Sequence, residues 1–311
     1  MKKHNLRILV IGAGVNGSVC AAHLHNHGID VTLLARGKRV DQIKQDGIII
    51  ENPFNNRRMI AKVNVIDVLR PDDIYDYVLV VVRRNQVTDL LPVLAANASP
   101  NVVFMSNNLL GPEEMTRALG AEKVLLGFVF AGGKKDASIV RAIGPTRRMA
   151  PFGEIGGNVT PRIKTLVRVL NRAGLRSQVS MEIVDWLATH AAGVAILGPM
   201  VMKYHNDVKA LARSTADLRL IVTAIRETHL ALDALGHKIV PASQRLAARL
   251  PGFVVVMMLR WLLRSRLGEV GAAWHVSQAP DEMQALASDL RALVVRSGLS
   301  VPAVKNVLGM T

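Results

Sequence analysis

The spacing of apolar residues changes character once along the chain. Up to about residue 179 they gather in short, often β-branched runs set apart by glycine, proline and polar turns. Runs at 8–11, 30–35, 48–50, 59–66, 77–82, 101–105, 123–130, 139–143, 147–152 and 175–179 predict strands. The unbroken run Tyr77-Val-Leu-Val-Val-Val82 marks a strand buried on both faces, as at the centre of a parallel sheet. The pieces at 139–143 and 147–152 read as antiparallel additions, and Ala131-Gly-Gly-Lys-Lys135 as the link before them. Helical spacing follows the first strand and recurs at 38–46, which Gly47 ends, and at 87–96. A further helix opens on Thr160 as cap with Pro161 at the first helical position and closes at Gly174.

From Met181 strand signals stop. Helical periodicity covers 182–206, 208–235, 241–250, 253–267 and 280–297, and a short helix follows Pro302. The boundary is therefore placed near Ser180, giving domains 1–179 and 180–311. No repeat or low-complexity linker intervenes, so the two are expected to pack directly around a cleft.

The first strand–helix junction narrows the function. Residues 8–11 run into Gly12-Ala-Gly14-Val15-Asn16-Gly17, and an apolar helix pattern continues to Leu24. Gly12 permits a tight turn, Gly14 lets the backbone approach a pyrophosphate, and Gly17 lets the helix lie close on the sheet, so its N-terminus can hold the anion. Val15 and Asn16, inside the turn, are counted among the cofactor-binding residues. With the second strand at 30–35 the context is complete. The fold class is α/β, with an N-terminal Rossmann-type dinucleotide-binding domain followed by an all-α C-terminal domain. At the end of the second strand an NAD site would carry Asp or Glu, but this chain has Arg36-Gly37-Lys38-Arg39. Three cations suit a 2′-phosphate. The expected cofactor is NADP, bound as NADPH, with Arg36 the principal contact and Lys38 or Arg39 as helpers.

Composition agrees with that reading. The 311 residues carry a formal charge of +15, which suits anionic ligands. Nucleic acid is set aside as a partner, since no motif interleaves aromatic and basic residues, and no metal site is expected. The single cysteine, Cys20, excludes an intrachain disulfide and suits a reducing, cytoplasmic setting. The start, Met1-Lys-Lys-His4 before an apolar run, imitates a secretory signal; removing it would remove the first strand and the glycine turn together. The apolar stretches at 191–202 and 253–259 are expected to be too short to cross a bilayer. Residues 253–266, apolar and then basic, are expected to form a core helix or part of a subunit contact, consistent with a homodimer.

The glycine turn, the arginine after the second strand, Val82-Arg83-Arg84-Asn85-Gln86, Ser106-Asn107-Asn108 and an all-helical second half together resemble the ketopantoate reductase (2-dehydropantoate 2-reductase) family over nearly the whole chain. The resemblance implies reduction of the ketone of a 2-oxo acid by NADPH. It places Arg36 at the 2′-phosphate, puts Arg83 where the family has a lysine, and leaves Asn107 able to hydrogen-bond cofactor or substrate.

The substrate half departs from the pattern. The family's Lys, Asn and Asn, four apart on the first long helix of the second domain, fall on His190, Val194 and Gly198 when aligned on Pro199. These share one helical face. The lysine that protonates the nascent alkoxide is thereby replaced by His190, the candidate proton donor. The family's C-terminal glutamate falls on Glu282, while its serine is missing where Val270 and Gly271 stand. Val194, Gly198, Glu282 and Asn107 are the candidate substrate contacts. Loss of both amides points to a substrate other than ketopantoate, a 2-oxo acid or related carbonyl of lower polarity. The alternative is a catalytically silent NADP-binding or sensing protein of the same fold.

Overall fold

The computed structural model describes residues 6–129, 131–143 and 149–310. The basic start at 1–4, the end of the strand expected at 123–130, and Arg147 and Arg148 of the one expected at 147–152 lie outside the described residues. Contacts divide the chain into a first unit, Met1–Ser106 with Pro112–Ile183, and a second, Asn107–Gly111 with Val184–Thr311. The short excursion at 107–111 was not foreseen.

The first unit runs β1 (Arg7–Ile11), α1 (Val15–Asn26), β2 (Asp30–Leu34), α2 (Lys38–Asp46), β3 (Ile48–Glu51), β4 (Arg58–Ala61), β5 (Asn64–Ile66), β6 (Tyr77–Val80), α3 (Val87–Ala96) and β7 (Val102–Phe104). It continues with α4 (Glu113–Leu119), β8 (Val124–Gly127), β9 (Gly132–Asp136), β10 (Ile139–Ile143), β11 (Ala150–Glu154), α5 (Pro161–Arg172) and β12 (Ser177–Val179). An eight-stranded sheet has the order β12-β11-β8-β7-β6-β1-β2-β5. Its strands from β5 to β8 are parallel, with Ile8 of β1 opposite Val31 on one side and Tyr77 on the other. Helices on both faces bury the apolar runs, hence the unbroken β-branched sequence of β6. β11 adds to β8 antiparallel.

A second sheet, β4-β3-β10-β9, accounts for two departures from the sequence reading. The run 59–66 is not one strand: β4 pairs with β3 in the small sheet, and β5 pairs with β2 at the edge of the large one. The chain changes sheets at Lys62 and Val63, with apolar residues on both sides of the change. The Gly-Gly-Lys-Lys link is strand β9, antiparallel to β10. Glycine masks it, because a Cβ at Gly133 would lie 2.3 Å from the Arg141 carbonyl oxygen.

The second unit contains α6 (Ile183–Lys203), α7 (Val208–Leu211), α8 (Thr215–Ala234), α9 (Ala242–Arg249), α10 (Gly252–Arg264), α11 (Arg266–Gly268), α12 (Trp274–Gln278), α13 (Pro280–Ser297) and α14 (Pro302–Leu308). The helix expected over 208–235 is split, because Ser214 caps a new start by accepting from the Asp217 N–H at 3.2 Å. The stretch 191–202 is part of α6, whose 21 residues are long and apolar enough to cross a bilayer by length and composition, contrary to expectation. It behaves as a core helix: 61% of its most apolar window is buried within the protein. Its Ala191, Ala195 and Ile196 join Leu218, Ile221, Leu286 and Leu109 in one core.

Cys20 lies buried in the core of the first unit, and burial pushes its thiol pKa up to about 12, which leaves it unreactive. The buried carboxylate of Glu154, at the end of β11, accepts from Arg162 Nε at 2.8 Å and from the Thr160 hydroxyl, tying β11 to the start of α5. Burial pushes its pKa up, but the bonds from Arg162 and Thr160 outweigh that and hold it below its ordinary value of 4.5. Glu154→Ala would leave the Arg162 guanidinium, a quarter exposed, with Asn101 Oδ1 and the Glu122 carbonyl, at a cost of about 1–3 kcal/mol. Since the folded pKa is depressed, the contribution is fully present above the unfolded value and fades as pH falls through the folded one. Denaturant melts are expected to show a wild-type advantage that is constant near pH 7 and shrinks below about pH 4; an advantage that grew on acidification would contradict the assignment.

Candidate functional site

The turn between β1 and α1 is built by steric necessity. Gly12 has φ of +110°, and a Cβ there would sit 2.4 Å from the Val81 carbonyl oxygen beyond β6. At Gly17 a Cβ would fall 1.8 Å from the Gly12 carbonyl oxygen, so only glycine lets α1 pack this closely. Gly14 is different: a Cβ there meets nothing within 4 Å. It is the N-cap of α1, with no side-chain cap and no acidic residue in the first turn. Open space therefore stands before the unpaired N–H groups of a helix N-terminus. Beside it Asn16 has a buried Oδ1 without a hydrogen-bond partner, and Val15 packs against the core. These residues fit the phosphates of a dinucleotide.

At the end of β2, Arg36 and Lys38 are exposed. Arg39, read as a further helper at the 2′-phosphate, is buried. It lies on the inward side of α2, 6% exposed, with Nη1 donating to the Ser138 carbonyl at 3.0 Å, and its Nε and Nη2 have no partner. Burial holds its pKa below the ordinary value. Lys135 on β9 is likewise lowered, first by burial and then by facing Arg39 and Arg83. The two guanidinium groups near Lys135 make this a positively charged region that suits an anion. Lys135 escaped the sequence reading because β9 did.

After β6 the chain makes a single 3₁₀ turn over Arg84–Gln86, in which the Arg83 N–H donates to Gln86 Oε1 at 3.3 Å. Arg84 pairs with Glu114 at 3.6 Å, so its charge is committed within the first unit.

A second group of the candidate residues meets in the helical unit. Glu282, in the first turn of α13 after Pro280, is 3% exposed, and its Oε1 accepts from Asn107 Nδ2 at 3.0 Å. Asn107 is itself buried, and its Oδ1 has no partner. Asn108 turns away to accept from the Gly111 N–H at 3.1 Å. His275 on α12, missed in the sequence, places Nε2 3.7 Å from Glu282 Oε2. A histidine seven residues before a glutamate spans a helix break here, so no single helical face announces the pair.

His190, Val194 and Gly198 follow one another along α6 at four-residue spacing. The His190 ring stacks on Trp186, centroids 5.1 Å apart and planes 11° from parallel, which fixes its plane. Val194 packs on the core of the unit. Gly198 is buried, and a Cβ there would come within 2.4 Å of Met283 Sδ. Met283 thus takes the room that a side chain at 198 would need. Further along, Lys203 is held by Asp217 at 2.9 Å.

The parallel sheet, its glycine turn and the helical second unit define a Rossmann-type protein with an appended all-α unit. Residues 8–149, a little under half of the chain, match the family model described as Ketopantoate reductase PanE/ApbA. The 2-dehydropantoate 2-reductase of Pyrococcus horikoshii is 26% identical over 183 residues, 58% of this chain and 58% of that protein. The match thus spans about three fifths of that relative's length. Among solved structures, the ternary complex of D-mandelate dehydrogenase with NADH and anilino(oxo)acetate superposes with a TM-score of 0.80 at 16% identity, covering 98% of this chain and 96% of that one. The 2-dehydropantoate 2-reductase of Geobacter metallireducens gives 0.79 at 18% identity and 98% coverage of both chains. At these identities the structures speak for the fold.

Proposed function

We propose that the protein is an NADPH-dependent reductase that delivers hydride to the carbonyl of a 2-oxo acid or a related compound. The observation that carries this reading is the buried Asn107–Glu282 hydrogen bond. It unites the residue after β7 with the carboxylate of α13 and leaves Asn107 Oδ1 unpaired, an acceptor set that suits a substrate hydroxyl or N–H. The family-model match over residues 8–149 and the open cradle at Gly14 support a nicotinamide dinucleotide, and the exposed Arg36 at the end of β2 supports its phosphorylated form. The bound cofactor supplies the hydride. The chain contributes the Gly12–Gly17 cradle, Arg36 at the 2′-phosphate, Arg83 and Asn107 beside cofactor and substrate, Glu282 as a substrate contact, and His190 as the donor that protonates the developing alkoxide. With apolar Val194 and side-chain-free Gly198 where the family carries amides, the substrate has less hydrogen-bonding capacity than ketopantoate. His275 extends the polar group around Glu282.

The test is oxidation of NADPH and NADH, followed at the reduced nicotinamide band, with a panel of 2-oxo acids differing in size and polarity. Turnover with NADPH on an apolar member supports the reading. Tight NADPH binding without turnover on any member would favour the silent cofactor-binding alternative, and no binding of either coenzyme would end both. Arg36→Ala is expected to weaken NADPH binding roughly 10- to 100-fold, the worth of a charge-assisted contact of about 1.5–3 kcal/mol, and to leave NADH within a few-fold. Equal losses for both coenzymes would remove Arg36 from the 2′-phosphate.

A further inference from the structure

Helices α8, α9 and α10 line a solvent-open cavity of about 560 Å³, within the size range of sites that hold small molecules. Its walls are apolar, with Val222, Ile225, Val255, Met258, Leu259 and Leu262 among them. Arg226, His229 and Gln244 interrupt them. His229 is 8% exposed, and its Nδ1 has no hydrogen-bond partner. Arg226 donates through Nη2 to the Leu250 carbonyl, its buried Nε is unpartnered, and among the described residues no carboxylate pairs with it. The buried Arg226 Nε and His229 Nδ1, without partners in an apolar wall, are polar atoms that the fold itself does not satisfy.

The surroundings carry the same chemistry. α9 buries no residue, and α10 buries only Val256 and Leu263 of its thirteen, while Phe253, Met257 and Trp261 stand exposed, Trp261 by 72%. Between Asp233 and Glu269 there is no acidic residue, but there are Lys238, Arg245, Arg249, Arg260, Arg264 and Arg266. A second copy meeting α9 and α10 about a two-fold axis would bring these like charges together. An anionic amphiphile satisfies both features at once.

We propose that this cavity is a binding site for a long-chain carboxylate, its hydrocarbon chain between α8 and α10 and its head group against Arg226 and His229. The site is separate from Asn107, Glu282 and His190, and it stands whether or not the protein is a reductase. The test uses the full chain and 11-(dansylamino)undecanoate as fluorescent probe, with dodecanoate and dodecanol as competitors below their micellar concentrations. Saturable enhancement at one probe per chain is expected, with dodecanoate displacing it at least tenfold better than dodecanol. Arg226→Met should erase that preference without weakening dodecanol. Ala248→Trp, which fills the cavity from α9 and leaves Arg226 in place, should abolish uptake of probe and competitors alike. Three results would overturn the proposal: no saturable uptake; equal displacement by acid and alcohol; or uptake unchanged by Ala248→Trp. Exclusion of the probe from a dimer found by sedimentation would assign the face to self-association instead. Exclusion combined with co-sedimentation on phosphatidylglycerol vesicles would assign it to a bilayer.

Discussion

Gly17→Ala is expected to abolish dinucleotide binding and to lower the melting temperature of the protein. The added Cβ would lie 1.8 Å from the Gly12 carbonyl oxygen, with Val10 Cγ1 at 3.6 Å behind it. The clash is with backbone, so no side chain can rotate to relieve it, and α1 must move off β1. In an ordinary helix interior the same change would gain about 1 kcal/mol. Overpacking at a helix–strand contact costs about 1–3 kcal/mol and reverses the sign. Gly14→Ala is the control, because its Cβ meets nothing in the protein. That variant should melt as the wild type does and still bind NADPH more weakly, since the methyl group enters the space a phosphate needs. Calorimetric melts and NADPH titrations of both variants decide the matter. If Gly17→Ala kept both its melting temperature and its affinity, the close packing of α1 on the sheet would be wrong.

The same glycines show why this part of the fold was legible in the sequence. A tight turn, a phosphate approach and a helix–strand contact each demand the absence of a side chain at a fixed spacing, and no other local solution exists. The buried β6 was equally plain, because a strand covered on both faces needs an unbroken β-branched run. What stayed hidden were features set by partners distant in sequence. β9 forms from glycine and lysine because β10 lies beside it, and the 59–66 run divides because two different sheets claim its halves. α4, with its two glutamates in the first turn, is too short to show a period.

The candidate site divides along the same line. Arg36 stands exposed after β2, where the sequence places it, whereas Arg39, three residues on, faces inward for reasons set by the Ser138 carbonyl. Asn107 and Glu282 were identified separately, from positions 175 residues apart, and the structure joins them in one hydrogen bond. His275 carried no signal at all, since it reaches Glu282 across a helix break. The apolar cavity beneath α10 was invisible for a related cause: residues 253–266 have the pattern of a core helix, and only the structure shows most of that pattern left uncovered.

His190→Ala carries the largest kinetic effect. Hydride transfer to a ketone leaves an alkoxide, and a positioned donor that protonates it is worth about 10²- to 10⁴-fold in rate. In the proposed reaction that donor is His190, whose ring is stacked on Trp186. A donor that acts only as charge develops lowers kcat when it is removed and leaves KM nearly unchanged. The pH profile separates this from a structural role. An imidazole donor gives kcat a limb near neutrality, where an amine donor titrates near pH 10. His190→Lys, which restores the residue the family pattern places there, should recover part of the rate lost in His190→Ala and carry the limb toward alkaline pH. A structural histidine would show neither the recovery nor the moved limb. If His190→Ala retained kcat within twofold on a substrate the wild type reduces, the proton would have to come from elsewhere, and His275 beside Glu282 is the next group to test.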